Sequence, residues 1–473
     1  MIATAAHHAR TTPDGKMSNT GTTETAEVAV DFPVFLTAYD PSDLPGGSLD
    51  PLGFDRGYLL LADKILPGLT NVADRPRYFS ILCAGAFLAE GDASEPPRVQ
   101  YQKRLEHVLR FERFWALGNV LASQNRSDGA LSVSGIRGVT YASAKAGTLI
   151  RNGSIRTDSN FQLLSRQVPY GVVGIYGAVA EGMRFIDRKT LSLTPDLGEC
   201  LGEDFLKQTL TPRGLIRAVK SGTDVAISEL GEWGARAHIA GKPVPIEQTC
   251  FSEALHCNPV RSRMARVLAA HPFVDRNDSE LLRLSRLLPD LASQAENRDL
   301  CEAVTAILAY EHAYRLAMLG FERLLWLCRT LPSAAIKPAD LAADTVLCRV
   351  CSELPAAVQN LSQALDSATT DLFRQDIQRL QDVRQFLERA AAACGGSETL
   401  GVELMERHSD VQRGKFDNGR RKMPWLEIAS GHMSLTMTRV GGLDREATSP
   451  TQITPHPYRL ASADTLNAAS GDT

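Results

Sequence analysis

Apolar residues recur every three or four positions along most of the chain, which is the period of α-helices with one buried face. This spacing predicts helices over residues 58–65, from 75–77 onward, and over 100–122, 161–167, 172–183, 197–205, 281–288, 299–331, 341–354, 356–393 and 398–413. Strands are predicted over 190–194 and as a pair around 426–440. The predicted fold class is mainly α, a multi-domain helical protein with a short C-terminal β element.

Residues 160–206 combine several of these signals. A predicted helix is followed by a turn at 169–171, a second helix and a strand in which apolar and polar residues alternate. A further helix then starts at Pro195, after a Thr194 N-cap. This order is typical of a winged-helix unit, and the text RFID…LSLTPDLGECLGEDF resembles the wing and last helix of winged-helix domains. The glycines at 171, 174 and 177 depart from a typical recognition helix, because each costs about 1 kcal/mol of helix propensity. They favour close helix packing instead.

Changes in composition divide the chain into five regions. We expect a disordered N-terminal tail (1–30), an N-terminal helical region (31–144), a winged-helix-like module (145–210), a helical domain (211–395) and a C-terminal region with a helix, a basic loop, short strands and a tail (396–473). Met17 is an alternative start to Met1.

The formal net charge of −4 conceals two segments of opposite charge. Residues 1–97 carry 6 basic and 13 acidic side chains, whereas residues 98–166 carry 11 basic and 4 acidic ones. The two segments either pack on each other, or the basic one binds a polyanion. The predicted nucleic-acid contacts open the winged-helix-like module or mark its wing: Lys145, Arg151, Arg156, Arg166, Arg184, Arg188 and Lys189.

A second basic segment spans residues 413–425. It contains five cations, one acid (Asp417) and two aromatic residues (Phe416 and Trp425). Cations attract phosphate and rings can stack on exposed bases, so the segment is a candidate polyanion contact. The alternative is a solvated turn with Trp425 anchored in the core. The cations are Arg413, Lys415, Arg420, Arg421 and Lys422.

Signatures of known enzymes are absent from the sequence. It has no phosphate-binding P-loop, HExxH, G-x-S-x-G or kinase motif. Cys348 and Cys351 form the one CxxC, but the next soft zinc ligands lie about a hundred residues away, so helix packing explains the pair. The string from Pro195-Asp196 to Glu203 and Lys207 superficially resembles a metal-nuclease motif, yet it falls in a predicted helix. We predict no catalytic residue, no cofactor and no metal.

The cysteine content and the apolar stretches bear on location. Nine cysteines, an odd number, sit mostly in apolar helical text, which is typical of reduced thiols in a cytoplasm. The longest apolar stretches are interrupted by charges, so no membrane span is expected.

The text LPGLTNVADRPRYF at residues 66–79 resembles uncharacterised, mostly helical bacterial proteins encoded in antiphage-defence neighbourhoods. In these proteins a PGxTxxxxRxRYF phrase precedes an apolar helix, and the text at 310–327 and 408–415 fits the same resemblance. The resemblance implies a defence or mobile-element setting and brings no catalytic residues. The positions that carry it are Pro67, Gly68, Thr70, Arg75, Arg77, Tyr78 and Phe79.

Arg75 and Arg77 flank Pro76 at a predicted helix start. They are an anion-binding candidate, because exposed backbone N–H groups at such a start attract anions. The alternative is that both pair with the acidic segment 50–63.

The expected function is a non-catalytic DNA-binding or adaptor subunit of a bacterial antiphage-defence or mobile-element complex. Its expected partners are double-stranded DNA and other defence proteins, such as a helicase, a nuclease or a methyltransferase. The alternatives are a protein–protein scaffold and an enzyme without a readable signature. A basic groove around residues 98–190 would favour DNA, a neutral face the scaffold, and a deep cleft with convergent carboxylates or histidines the enzyme.

Overall fold

Helices make up most of the described chain, so the mainly α prediction is confirmed. The computed structural model describes residues 50–89, 94–124, 132–149, 153–156, 161–274, 279–330, 335–368, 377–417, 420–436 and 446–471. The predicted N-terminal tail, the choice between Met1 and Met17, and Arg151 lie outside these residues. Within them no helix has both the length and the apolar character that crossing a membrane requires.

The described helices are numbered in chain order. They are α1 (Asp55–Ile65), α2 (Arg77–Phe87), α3 (Pro97–Gln124), α4 (Val139–Leu149), α5 (Gln167–Tyr170), α6 (Val172–Gly182), α7 (Gly198–Gln208), α8 (Arg213–Ser221), α9 (Ile227–Arg236), α10 (Pro245–His256), α11 (Pro259–Ala270), α12 (Glu280–Ser293), α13 (Arg298–Thr330), α14 (Thr345–Asp366), α15 (Ile377–Ala392), α16 (Ser397–Arg413) and α17 (Leu460–Ser470).

The strands are short and antiparallel. They are β1 (Ser154–Ile155), β2 (Ile186–Asp187), β3 (Ser192–Leu193), β4 (Val225–Ala226), β5 (Ala335–Ile336), β6 (Phe416–Asp417), β7 (Arg420–Arg421), β8 (Leu426–Ala429) and β9 (His432–Leu435). β1 pairs with β4, β2 with β3 and β6 with β7, while β5, β9 and β8 form a three-stranded sheet in that order. The strand pair predicted around 426–440 is therefore the β8–β9 hairpin.

The core follows from the helical periodicity. The apolar stripe of α13, including Ile307, Tyr310 and Phe321, is buried against α14, α12 and α1. α3 and α9 approach so closely that a Cβ at Gly234 would overlap the Gly118 carbonyl. Buried apolar side chains from Leu52 to Ala469 form one continuous cluster.

The winged-helix-like module is not confirmed. The helix predicted over 161–167 is wrong, because only Gln167–Tyr170 is helical before the Gly171 turn. The predicted strand is present as β3, and it pairs with β2 in a hairpin of two residues per strand. α6, the expected recognition helix, is largely buried. A Cβ at Gly174 would overlap the Pro169 carbonyl, so this glycine permits close packing.

Two boundaries differ from the predictions in the second half. α14 continues through Pro355, where a break was predicted, because Leu354, Ala357 and Val358 keep its buried face packed. It ends at Asp366, and α15 begins at Ile377, so one helix over 356–393 is wrong.

The predicted C-terminal tail contains a helix that the sequence analysis missed. α17 buries Leu460, Ala463 and Leu466 and packs on α10 and α11. Its apolar positions are mostly alanines, which gave a weak signal.

Candidate nucleic-acid interface

α8 is a short helix with clear start and stop signals. Pro212 precedes it in an extended conformation, and Gly222 ends it in the left-handed region with φ 68°. Leu215, Ala218 and Val219 are fully buried. Arg110 of α3 donates a hydrogen bond to the Val219 carbonyl in the last turn of α8. The helix is therefore held firmly against α3.

The opposite face of α8 carries three cations. Arg213, Arg217 and Lys220 are exposed and lie four and then three positions apart. In an α-helix this spacing places the side chains on one face.

Two of these cations differ from Lys207 and Arg184, which are exposed but form ion pairs. Among the residues that the structure describes, Arg213 and Arg217 form no ion pair. Lys207 on α7, by contrast, lies 3.0 Å from Glu203 and 2.9 Å from Asp204, and Arg184 pairs with Asp196. The guanidinium groups of Arg213 and Arg217 are therefore exposed and have no carboxylate counter-ion within the described part of the chain.

The β1–β4 ladder adds a fourth cation. Ile155 pairs with Val225, so the following residue, Arg156, lies at the end of the ladder where the chain arrives from α8. Arg156 is exposed and, within the described residues, has no ion-pair partner. We call Arg156, Arg213, Arg217 and Lys220 the α8 basic surface.

Two acids border the α8 basic surface. Asp224 is exposed and directly precedes β4. Glu229 lies against Gly214, where an added Cβ would be 2.8 Å from its Oε2. The surface is therefore basic on the helix face and mixed in charge at its rim.

Of this surface, the sequence analysis identified Arg156 alone. The signal for the others is R-x₃-R-x₂-K within residues 213–220, placed opposite Leu215 and Val219. The two-residue ladder that joins Arg156 to α8 has no sequence signal of its own.

The other predicted cations of the N-terminal half are spread over several elements. Lys145 on α4 lies over its own helix, with Nζ 5.5 Å from the centre of the Tyr141 ring. Arg166 is exposed before α5. Arg188 and Lys189 occupy the turn of the β2–β3 hairpin, where Glu181 accepts a hydrogen bond from the Arg188 backbone N–H.

The basic loop 413–425 is partly committed to the fold. Lys415 donates a hydrogen bond to the Asp50 carbonyl, and burial lowers the pKa of Lys415. Trp425 is anchored in the core beside His408, as the alternative interpretation predicts. Arg421 lies 5.9 Å from the centre of the exposed Phe416 ring.

Three further cations of this loop remain. Arg413 is exposed and Lys422 is half-buried. The side chain of Arg420 lies outside the described residues. The hairpin with Arg188 contacts α2 and α6, whereas the loop contacts Asp50, so these contacts do not bring the two basic segments together.

The predicted anion-binding pair at the start of α2 is used differently. Arg77 is buried, lies 3.0 Å from Glu247 Oε1 and donates to the Lys242 carbonyl at 2.8 Å. Burial lowers the pKa of Arg77 and raises that of Glu247, while their mutual attraction opposes both shifts. Arg75 is half-buried beside Asp74. The partner of Arg77 is thus Glu247 and not the acidic segment 50–63.

Carboxylate and histidine side chains do converge in the interior. The Nδ1 atom of His456 lies 2.6 Å from Glu311 Oε1, and the Tyr458 hydroxyl donates to the same oxygen at 2.7 Å. His456 stacks on Tyr58 with ring centres 4.6 Å apart, and its Nε2 lies 3.8 Å from Asp55. This cluster joins the C-terminal segment to α1 and α13, and it was not foreseen from the sequence.

Two surface cavities lie elsewhere on the described part of the chain. One cavity of about 190 Å³ lies between α11 and α12 and includes His271, whose Nε2 is 2.6 Å from Asp290. It is smaller than the roughly 300–1,000 Å³ of most ligand pockets. A second, of about 400 Å³, lies between α10 and Ser470. Glu311 and His456 line neither one. The described His, Cys, Asp and Glu residues include no group of three placed to hold a metal ion.

Comparisons with known proteins bring no relative to this arrangement. No family model matches the chain, and neither a curated protein nor a solved structure is similar to it.

Proposed function

We propose that this chain is a non-catalytic DNA-binding or adaptor subunit of a bacterial antiphage-defence or mobile-element complex. It binds the phosphate backbone of duplex DNA through the α8 basic surface. The defence setting rests on the resemblance of residues 66–79, 310–327 and 408–415.

One observation carries the DNA-binding proposal: Arg213 and Arg217 lie on one exposed helix face and have no carboxylate partner among the described residues. Exposed cations held on a rigid helix can replace the counter-ions that surround DNA phosphates. A helix face of about three cations contacts backbone and reads no base, so binding without sequence preference is expected.

The test is a titration of labelled duplexes of unrelated sequence, followed by fluorescence anisotropy. The double variant R213A/R217A should weaken binding to every duplex by a similar factor. The slope of log affinity against log salt, measured between about 50 and 200 mM, should fall in magnitude by about 2, because each lost phosphate contact removes about one unit.

Lys207→Ala is the matched control. This cation is also exposed on a helix, but Glu203 and Asp204 neutralise it. Its loss should leave the salt slope unchanged. Equal affinities of the wild-type protein and R213A/R217A at low salt would contradict the proposal and favour the scaffold.

The adaptor role is favoured by a separate feature, the edge of the C-terminal sheet. β8 lies at the end of the order β5-β9-β8, and Ile428 on it is 41% exposed. Phe416 and Met423 nearby in sequence are also exposed. An edge strand with unpaired backbone groups and apolar side chains is a template for a strand of another protein.

Ile428→Lys tests the adaptor role, since lysine on an edge strand discourages pairing. Proteins encoded by neighbouring genes, co-expressed with this chain, should co-elute with the wild-type protein and with R213A/R217A but not with I428K. Co-elution with I428K at wild-type yield would argue against β8 as the contact.

A further inference from the structure

Three thiols meet where α14 passes the junction of α15 and α16. Cys348 and Cys351 lie one turn apart on α14, and Cys394 follows α15. The Ser397 hydroxyl, at the first residue of α16, lies 3.6 Å from the Cys348 sulfur and 4.0 Å from the Cys351 sulfur. α14 also packs on the turn 393–395 that holds Cys394, and Cys351 and Cys394 shift each other's pKa. The CxxC of the sequence is therefore part of a three-thiol group.

The three thiols differ in their access to solvent. Cys348 is exposed, whereas Cys351 and Cys394 are partly buried. Burial raises the pKa of Cys351 and raises that of Cys394 to about 12, so both remain protonated thiols at neutral pH. An oxidant from solvent should meet Cys348 first.

The geometry also allows exchange between the thiols. In an α-helix the Cα atoms of residues three apart are about 5 Å from each other, within the span of a disulfide of roughly 4.4–6.8 Å. Cys394 lies on the turn 393–395, which packs against α14, and Ser397 three residues later contacts Cys351, so the two thiols are neighbours in the fold.

We propose that Cys348, Cys351 and Cys394 form an oxidation site for hydrogen peroxide, in which the exposed thiol reacts first and the partly buried pair ends as a disulfide. This site is independent of the α8 basic surface. Its product links α14 covalently to the start of α16.

The reaction has three balanced steps. The Cys348 sulfur attacks one peroxide oxygen, the O–O bond breaks, and sulfenic acid and water form. The Cys351 sulfur then displaces that oxygen, which leaves as a second water with the Cys351 proton. Finally Cys394 loses its proton to water and attacks the Cys351 sulfur as a thiolate, and the departing Cys348 sulfur takes up a proton. Overall, two thiols lose two hydrogen atoms and one peroxide becomes two waters.

Trypsin separates the three thiols, because Arg349 lies between Cys348 and Cys351. The expected peptides are 330–349 with Cys348, 350–374 with Cys351 and 390–407 with Cys394. The full-length reduced protein is treated with hydrogen peroxide, its remaining thiols are alkylated, and the digest is analysed without reduction. We expect 350–374 joined to 390–407, and 330–349 alkylated.

Variants trap the intermediates of this order. C394S should stop at a link between 330–349 and 350–374, and C351S should accumulate sulfenic acid on 330–349, captured by dimedone. C348S should slow formation of the final disulfide by about tenfold or more, because the remaining thiols are protonated and less exposed. C301S is the control, since Cys301 is a partly buried thiol outside this group, and it should react as the wild type does.

The wild-type digest alone decides the proposal if a variant fails to fold. Full alkylation of 350–374 and 390–407 after peroxide treatment would overturn it. Oxidation of Cys301 as fast as that of Cys348 would also overturn it, because the thiol group would then have no special reactivity.

Discussion

The C-terminal segment 446–471 and the α8 basic surface use arginine in opposite ways. Arg459 is 1% exposed, lies 2.8 Å from Asp63 and donates to the Leu66 carbonyl at 3.0 Å. The α8 arginines are exposed, and no described carboxylate pairs with them.

The difference separates charge that maintains the fold from charge that is available to a ligand. A buried cation loses its hydration, so it requires the partners that surround it. An exposed cation keeps its water and gives up little if a phosphate replaces that water. Composition and net charge count both kinds alike, and the contacts of each side chain distinguish them.

The largest expected effect is the difference between Arg459→Ala and Arg217→Ala in the free energy of unfolding. Removal of the Arg459 guanidinium leaves Asp63 and two buried carbonyl groups without it, which should lower the free energy of unfolding by about 3–5 kcal/mol. Arg217→Ala should change it by less than about 0.5 kcal/mol. Urea denaturation measures both, and similar values for the two variants would break the comparison.

A second interior side chain predicts a pH dependence. His408 Nδ1 lies 3.0 Å from the Pro51 carbonyl, and its Nε2 accepts a hydrogen bond from the Trp425 N–H at 2.8 Å. If Nε2 were protonated, its N–H would face the Trp425 N–H, and the hydrogen bond between them would be lost. Burial lowers the pKa of His408 to about 4.

Unfolding raises that pKa to its ordinary value near 6.5, so the unfolded chain binds a proton that the folded chain rejects. Stability should therefore fall as the pH drops from about 6.5 to 4, by about 3 kcal/mol from this group. The control is His408→Gln, whose unfolding free energy should fall less over the same pH range. Parallel curves for the two proteins would show that His408 contributes nothing.

The β2–β3 hairpin offers a smaller test of exposed charge. Replacement of Arg188 and Lys189 by alanine should weaken duplex binding about equally for all sequences, because contacts of such cations to the phosphate backbone carry no sequence information. Arg188 has a partner for its backbone N–H in Glu181, and it sits in a more mixed charge environment than α8. We therefore expect a smaller change than for R213A/R217A in a mobility-shift titration at low salt. A larger change would move the interface to the hairpin.

The smallest expected effect concerns the loop 413–425, in which Lys415 is bonded to the fold and Arg413 is exposed. Trypsin can cut after each of its five cations. Because Lys415 and Trp425 are held by the fold, DNA should protect cleavage after Arg413 and Arg421 only modestly. Equal cleavage with and without DNA, under conditions where binding is confirmed, would make the loop a connector.

The sequence predicts elements whose burial depends on a regular apolar period. α13 and α16 are recovered almost residue for residue, because leucine and aromatic residues recur along a long helix. α17 was missed because Ala463 and Ala469 give little contrast between its faces. Pro355 was read as a break, although packing on both sides keeps α14 continuous.

The sequence could not predict polar contacts between residues that are far apart along the chain. Nothing local pairs Arg77 with Glu247, Arg459 with Asp63 or His456 with Glu311. The spacing of the α8 cations could be recognised in the sequence, but the absence of a described ion-pair partner for Arg213 and Arg217 could not. Within the basic segment 98–166, Arg113 is buried and bonded to Gln167, so a count of cations overstates the exposed positive charge.

The Arg459–Asp63 contact also has a consequence for synthesis. The two residues are 396 positions apart. At about 5–20 residues per second, a ribosome adds Arg459 roughly 20 to 80 s after Asp63. During that time α1 is complete in sequence but lacks the guanidinium that its carboxylate and the Leu66 carbonyl bind. The nascent protein should therefore depend on chaperones until its last helix emerges, and stalled or truncated chains should be targets for proteolysis.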